Sequence, residues 1–471
     1  MQARIFFGSS EATKENLTKR INPYSGKVVS LAPLCDVDDA KKALLIAKEA
    51  AKEARKTTVA QRCSWLLDVA KKLKENREDL AKTITDEVGK PIAFARVEVD
   101  RCIETVTLSA ETMRTMHGET INSDAFASGK KTMAFFSRVP SGVIVAITPF
   151  NFPLNLIAHK LAPALVAGNA VVLKPTPEAP LTAYKFAKLF IESEFAIKDA
   201  LSVVYGDADV GGALVTSAIP RVISFTGSVT VGNIITKNAG IKKVSLELGG
   251  NAATYIDKSA DLDLAAARCS LGAFVNSGQV CISLQRIYVN AEIYDEFASK
   301  MANKSKKLVV GSPYSDETFM GPLINDEACE RAMNWVESAI NEGATPMLTP
   351  RADGRMFYPC IMADVREDMK IVCEEVFAPI VSLIKVGSFE EALPLMNNSP
   401  YGLQFSIFTN DLKLAQHAIT ELDAGGIVIN DMPTLRFDIQ PYGGLKLSGV
   451  GREGPRFAIE EMTEIKSVVI C

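Results

Sequence analysis

The sequence predicts an α/β protein built on two doubly wound parallel sheets, and two observations carry that expectation. From Pro140 onward, short apolar runs alternate with helical stretches: GVIVAITPF, AVVLKP, LSVVYG and RVISFTGS each lead into or follow a helix. A second series starts near Ala252, with AATYI, QRIYV and APIVSLIKV as strands and GGIVIN as the last clear one. Strands that alternate with helices imply parallel pairing, with helices on both faces of each sheet.

The elements before Pro140 have a different pattern. From Val37, VDDAKKALLIAKEAAKEARK places apolar residues at three-to-four spacing between Lys, Glu and Arg, as one buried helix face requires. RCSWLLDVAKKLKENREDLAKTITDEVGK repeats the pattern and ends at Gly89, ahead of Pro91, a combination that stops a helix. VEVDRCIETVTLSAETMRTMHG reads as another long helix, and KTMAFFSRV alternates as a strand.

At 471 residues the chain exceeds one ordinary core. Its net charge of −4, with no basic block, argues against a nucleic-acid or anionic-membrane surface. The N-terminus lacks the apolar core of a secretory signal. The apolar run Leu161–Leu173 is interrupted by Pro163 and Asn169 and falls short of the ~20 residues a membrane span needs. Nine cysteines without CxxC spacing argue against a disulfide framework and favour a reducing, cytoplasmic setting. With only His117, His159 and His417, no metal site is expected.

Four stretches can carry chemistry. In RVISFTGSVTVGNIITKNAG a strand runs into Gly227 and Ser228 as a helix opens, which suits a phosphate; a plain strand–helix turn is equally compatible. In KVSLELGG, Glu247 stands in an apolar strand, where burial would raise its pKa toward that of a general base; on an exposed face it would be inert. NSGQVCISLQR places Cys281 after Gly278 and Gln279, at a junction where local N–H groups would favour a nucleophilic thiolate. AITPFNFPLNLIAHK sets Asn151 just past a buried strand, where its amide either donates to a developing oxyanion or simply makes a turn.

This set in this order resembles the aldehyde dehydrogenase superfamily over nearly the whole chain. The matching stretches are PFNFPL, AGNAVVLKPTPEAPL, FTGSVTVG, LELGGN, SGQVC, EEVFAP and PYGGLKLSGVGRE. The resemblance implies Cys281 as nucleophile, Asn151 as oxyanion donor, Glu247 as base for the hydrolytic water and Lys160 in proton relay. An aldehyde would become a thiohemiacetal on Cys281, then a thioester, then an acid. For a cofactor that is NAD or NADP, the resemblance points to Lys174 and Glu375 on the two riboses and Ser228 on the pyrophosphate. It places Phe377 by the nicotinamide, with Thr148, Phe150, Gly227 and Gly249 around it. Pro177 replaces the glutamate common in NAD-selective relatives, so the choice of cofactor stays open.

NDMPTLRFDIQPYGG and CISLQRIYV are similar to a branch acting on lactaldehyde, glyceraldehyde 3-phosphate without phosphorylation, phosphonoacetaldehyde or sulfolactaldehyde. Arg101 and Arg436 stand where an anionic end would be gripped by paired N–H groups, and His159 is a further substrate contact. Val280, in place of an arginine seen in relatives that take phosphorylated aldehydes, favours a neutral or singly charged substrate such as lactaldehyde, sulfolactaldehyde or a semialdehyde. The implied organisation is a Rossmann-like cofactor domain (1–117 and 138–248), a catalytic domain (249–447) and a small β oligomerisation element (118–137 and 448–471) making a homodimer or homotetramer. The rivals are a coenzyme-A-acylating dehydrogenase, which would not need Glu247, and a crystallin-like protein without turnover.

Overall fold

A computed structural model describes residues 1–471. Its first sheet has eight strands in the order Ser10–Ala12, Ile5–Phe7, Leu201–Val203, Ala170–Lys174, Val143–Ile147, Val222–Thr226, Lys243–Glu247 and Gly449–Val450. The five strands from Leu201–Val203 to Lys243–Glu247 are parallel, and short antiparallel strands close both edges. The second sheet runs Thr345–Pro346, Cys360–Ala363, Ile380–Val386, Leu284–Asn290, Ala252–Ile256, Gln404–Phe408 and Gly426–Ile429, parallel except at its first edge. A third sheet joins Thr463–Ile470 to Met133–Pro140 and Glu119–Ile121, all antiparallel.

The chain passes from the first sheet to the second through Leu248–Asn251, directly after Glu247. The carboxyl end of Lys243–Glu247 is therefore joined through four residues to Ala252–Ile256, an inner strand of the second sheet. In wound α/β sheets this is where ligands bind.

The N-terminal helices cover the first sheet. Val37–Ala54 and Val59–Glu75 both begin with complete capping boxes, Asp36 with Asp39 and Thr58 with Gln61. The single helical stretch read from Arg62 onward is two helices, Val59–Glu75 and Arg77–Val88, divided at Asn76. The Asn76 amide donates back to Lys72 O at 2.8 Å, taking a carbonyl from the helix end, which is why asparagine favours such breaks. Gly89 ends the second helix in the left-handed conformation, φ 71°. The short strands between Ile5 and Pro33 were not anticipated, because few of them alternate cleanly.

Two buried glutamates from these helices cap others that lack caps of their own. Glu87 accepts from the N–H groups of Leu181 and Thr182 at 2.9 and 2.8 Å, at the start of Pro180–Ile191. Glu98 accepts from Leu154 and Asn155 at 2.8 and 3.2 Å, opening Asn155–Val166. Its other oxygen is ion-paired with Lys90, and both side chains are buried. This second cap fixes the turn that carries Asn151.

Candidate active site

Between the two large sheets lies a cavity of about 480 Å³ lined by residues from both. Of the predicted site residues it brings together Cys281, Glu247, Asn151, Phe150, Gly227, Ser228, Gly249, Glu375, Phe377, Arg101 and Arg436. Lys160, His159, Lys174 and Thr148 are buried but do not line it.

Cys281 follows an unusual piece of backbone. Asn276, Ser277 and Gly278 all have positive φ, at 51°, 56° and 71°, so the chain makes a left-handed turn before Cys281. A Cβ at Gly278 would stand 2.3 Å from the Ala378 carbonyl oxygen, so no larger residue fits there. The sulfur is half-buried and has one side-chain partner, the Tyr442 hydroxyl at 3.1 Å. Burial pushes the thiol up to about 12, opposed by the Tyr442 hydrogen bond. The expectation of a thiolate favoured by local N–H groups is thus met by a thiol that needs a base.

Glu247 lines the same cavity. Glu247 ends its strand at 3 % exposure, and neither carboxylate oxygen has a hydrogen-bond partner. Burial pushes its pKa well above the usual carboxylate value, with Glu453 pushing the same way against Arg436 and Lys160. Asn151, also buried, donates from Nδ2 to Gln279 O at 3.1 Å, which holds its amide beside the loop that presents Cys281.

Behind Glu247 lies a buried ionic network. Lys160 Nζ reaches Ser224 Oγ at 3.1 Å and Glu453 Oε1 at 3.2 Å. Arg436 meets the other Glu453 oxygen at 3.1 Å and His159 Nε2 at 3.3 Å. His159 also contacts Asp438 Oδ1 at 3.0 Å, and Arg101 clamps Asp438 through Nε and Nη2 at 3.0 and 2.6 Å. Burial opposes a charge on Glu453, yet Lys160, His159 and Arg436 hold it down to about 2. Burial, then the neighbouring Arg436, pushes the His159 pKa down, against the hydrogen bond to Asp438. Both arginines therefore arrive with their own carboxylate, although Arg436 Nε stays buried and unpartnered.

Sequence reasoning passed over Tyr442, Glu453, Asp438 and the Lys90–Glu98 pair. Each of them lies in a stretch quoted above, but nothing local shows that they fold toward Cys281.

At the other end of the cavity the residues fit a dinucleotide. Ser228 caps Val229–Asn238 through Val231 N–H at 3.4 Å, and the buried Thr226 hydroxyl lacks any partner. Glu375 accepts from Gly250 N–H at 3.0 Å, and burial raises it to about 7. A Cβ at Gly249 would lie 2.5 Å from Glu375 Oε2, so glycine leaves room for that carboxylate. Phe150 and Phe377 meet edge to face at 6.0 Å, with Phe377 held at φ 49°. Lys174 ends its strand with its stem against Gly211, 8 % exposed. Thr148 accepts nothing at its buried hydroxyl, and its N–H bonds Lys174 O at 3.3 Å.

Residues 9–468 match the model of the aldehyde dehydrogenase family. The chain is 42% identical over 464 residues to a 3-sulfolactaldehyde dehydrogenase of Priestia aryabhattai, covering 98% of this chain and 96% of that one. It is 39% identical over 453 residues to a lactaldehyde dehydrogenase of Methanococcus aeolicus, covering 95% and 96% respectively. A crystal structure of the glyceraldehyde-3-phosphate dehydrogenase GapN from Methanocaldococcus jannaschii, complexed with NADP, superposes with a TM-score of 0.92. That protein is 39% identical, over 97% of this chain and 100% of its own.

Proposed function

The chain belongs to the aldehyde dehydrogenase family and is an NAD(P)-dependent oxidoreductase; from that premise we propose that it oxidises a short aldehyde bearing a hydroxyl or one anionic group to the carboxylic acid. The observation that carries this reading is the meeting of Cys281, an unpartnered Glu247 and two arginines, each with its own counter-ion, in one cavity.

Glu247 takes the proton of the Cys281 thiol, directly or through one water, and Sγ attacks the carbonyl carbon. The oxyanion of the thiohemiacetal is held by the Asn151 amide and the Cys281 N–H. Ser228, Thr226, Lys174, Glu375 and Phe377 would hold NAD or NADP, which supplies the acceptor for the hydride. Cys281 is left as a thioester. Glu247 passes the thiol proton to solvent and, again as carboxylate, removes a proton from water as its oxygen attacks the thioester carbon; the C–S bond breaks, the sulfur leaves as thiolate and the acid forms.

The arginines set the charge of the substrate. Arg101 and Arg436 face the cavity already paired with Asp438 and Glu453, so little positive charge is left over for a doubly charged phosphate. Val280 in the cavity wall adds none. A hydroxyl, carboxylate or sulfonate matches what remains, consistent with the lactaldehyde and sulfolactaldehyde dehydrogenases among its relatives.

The apolar outer edge of Thr463–Ile470, with Ile465, Val469 and Ile470 exposed, supports the further proposal that two copies pair there into a dimer or tetramer.

Reduction of NAD and NADP against lactaldehyde, sulfolactaldehyde, succinic semialdehyde, phosphonoacetaldehyde and glyceraldehyde 3-phosphate tests the reading, with Cys281→Ala as control. Preference for the first three, abolished in Cys281→Ala and weakened in Arg101→Ala, is expected. Preference for the phosphorylated aldehyde, or turnover surviving in Cys281→Ala, would overturn it.

A further inference from the structure

Tyr442 has a place in the cavity that no step above uses. It is 5 % exposed, and its backbone is tied to Glu453 in both directions, Tyr442 N–H to Glu453 O at 3.1 Å and the reverse at 2.6 Å. Its hydroxyl, 3.1 Å from Cys281 Sγ, makes the one side-chain hydrogen bond the sulfur has. The Arg436 guanidinium lies over its ring, 3.7 Å from the centroid. Arg436 is fixed in turn by Glu453 and His159.

The direction of the Tyr442 bond follows from the chemistry. A phenol O–H is the stronger donor of the pair, and a thiolate accepts far better than a thiol, so the bond strengthens as the thiol loses its proton. A cation over the aromatic face draws density from the ring and makes the O–H a better donor. No lysine, histidine or arginine bonds the sulfur, so Tyr442 is the side chain able to favour its anion.

We propose that Tyr442 is a further catalytic residue, its hydroxyl donating to Cys281 Sγ in the attacking thiolate and again when the thioester opens, and that Arg436 is a positioning residue acting through the Tyr442 ring. No proton is transferred to or from the phenol: Glu247 takes the thiol proton, and the phenol O–H stays bonded to oxygen throughout. The inference rests on the reading of Cys281 as nucleophile, and it assigns Arg436 a second task beside any contact with substrate.

The test is the pH dependence of Cys281 alkylation by iodoacetamide, read on the Cys281 peptide by mass spectrometry so that the other eight cysteines do not interfere. In Tyr442→Phe the midpoint is expected to rise by about one pH unit, a tenfold loss of thiolate at fixed pH, with kcat falling in step and melting temperature and cofactor binding unchanged. Arg436→Lys, which keeps the charge but not the flat stack, should move the midpoint the same way by less. An unmoved midpoint in Tyr442→Phe overturns the proposal, whatever Arg436→Lys does. A shift in Tyr442→Phe alone keeps Tyr442 and removes the positioning role of Arg436. Should the phenylalanine variant not fold, uniform replacement of tyrosine by the more acidic 3-fluorotyrosine should lower the midpoint, and no change would again refute the idea. Activity surviving in Cys281→Ala would instead bring down the reading on which the inference rests.

Discussion

Cys281 and Glu247 were each singled out by a local cue, a glycine ahead of the thiol and apolar neighbours around the acid, but only the order of the matching motifs along the chain joined them as a pair. Whether Glu247 was buried or exposed was not legible, since an alternating strand permits either face; the structure buries it without a partner. The counter-ion of Arg101 was invisible for a simpler reason. Asp438 lies 337 residues from Arg101, and nothing in either neighbourhood announces the other. With Glu247 replaced by Gln, both the thiol and the hydrolytic water lose their base, so the first NAD(P)H released at each active site should form more slowly and steady turnover should fall ~10²–10⁴-fold. Rapid-mixing absorbance checks this, and undiminished turnover would favour an acceptor other than water. Because burial raises the Glu247 carboxyl, its basic form grows as pH rises, so kcat/KM should climb toward the alkaline side and that limb should vanish in Glu247→Gln.

Helices and strands were read well where hydrophobic spacing was strong and capping agreed with it, as at Val37–Ala54 and at the Gly89 stop. They were misread where a polar side chain competes with the backbone, as at Asn76. Caps borrowed from another helix leave no local trace, and Glu98 is the one that bears on activity. Replacing it with Ala strips two N–H groups of their acceptor and leaves Lys90 buried without its partner. The expected cost is about 3 kcal/mol of stability. A fall in kcat should accompany it, because the turn that bears Asn151 loses its anchor. Chemical denaturation and steady-state kinetics on the folded variant measure the two effects separately. A stable variant with normal kcat would show that Asn151 is held by other means.

The two sheets and their alternation with helices were foreseeable from the strand–helix grammar, but the strand order was not, because it depends on returns such as Gly449–Val450 pairing with Leu246 and Glu247. Such returns also bind the molecule together electrostatically. Glu453, held down from 4.5 to about 2 by Lys160, His159 and Arg436, contributes stability that is full above pH 4.5 and disappears as pH falls through about 2. Thermal melts between pH 5 and 2 should show that loss, with a shallower slope in Glu453→Gln than in the parent chain.

The pairing of Gly449–Val450 against Glu247 also sets a timetable for synthesis. Cys281 and Glu247 are translated well before Glu453 and before Tyr442, which follows Cys281 by 161 residues. Until the segment with Tyr442 and Glu453 has emerged and docked, Cys281 has no hydroxyl beside it and the cation network has no glutamate at its centre. A nascent or prematurely terminated chain thus carries the thiol without the surroundings that make it an enzyme.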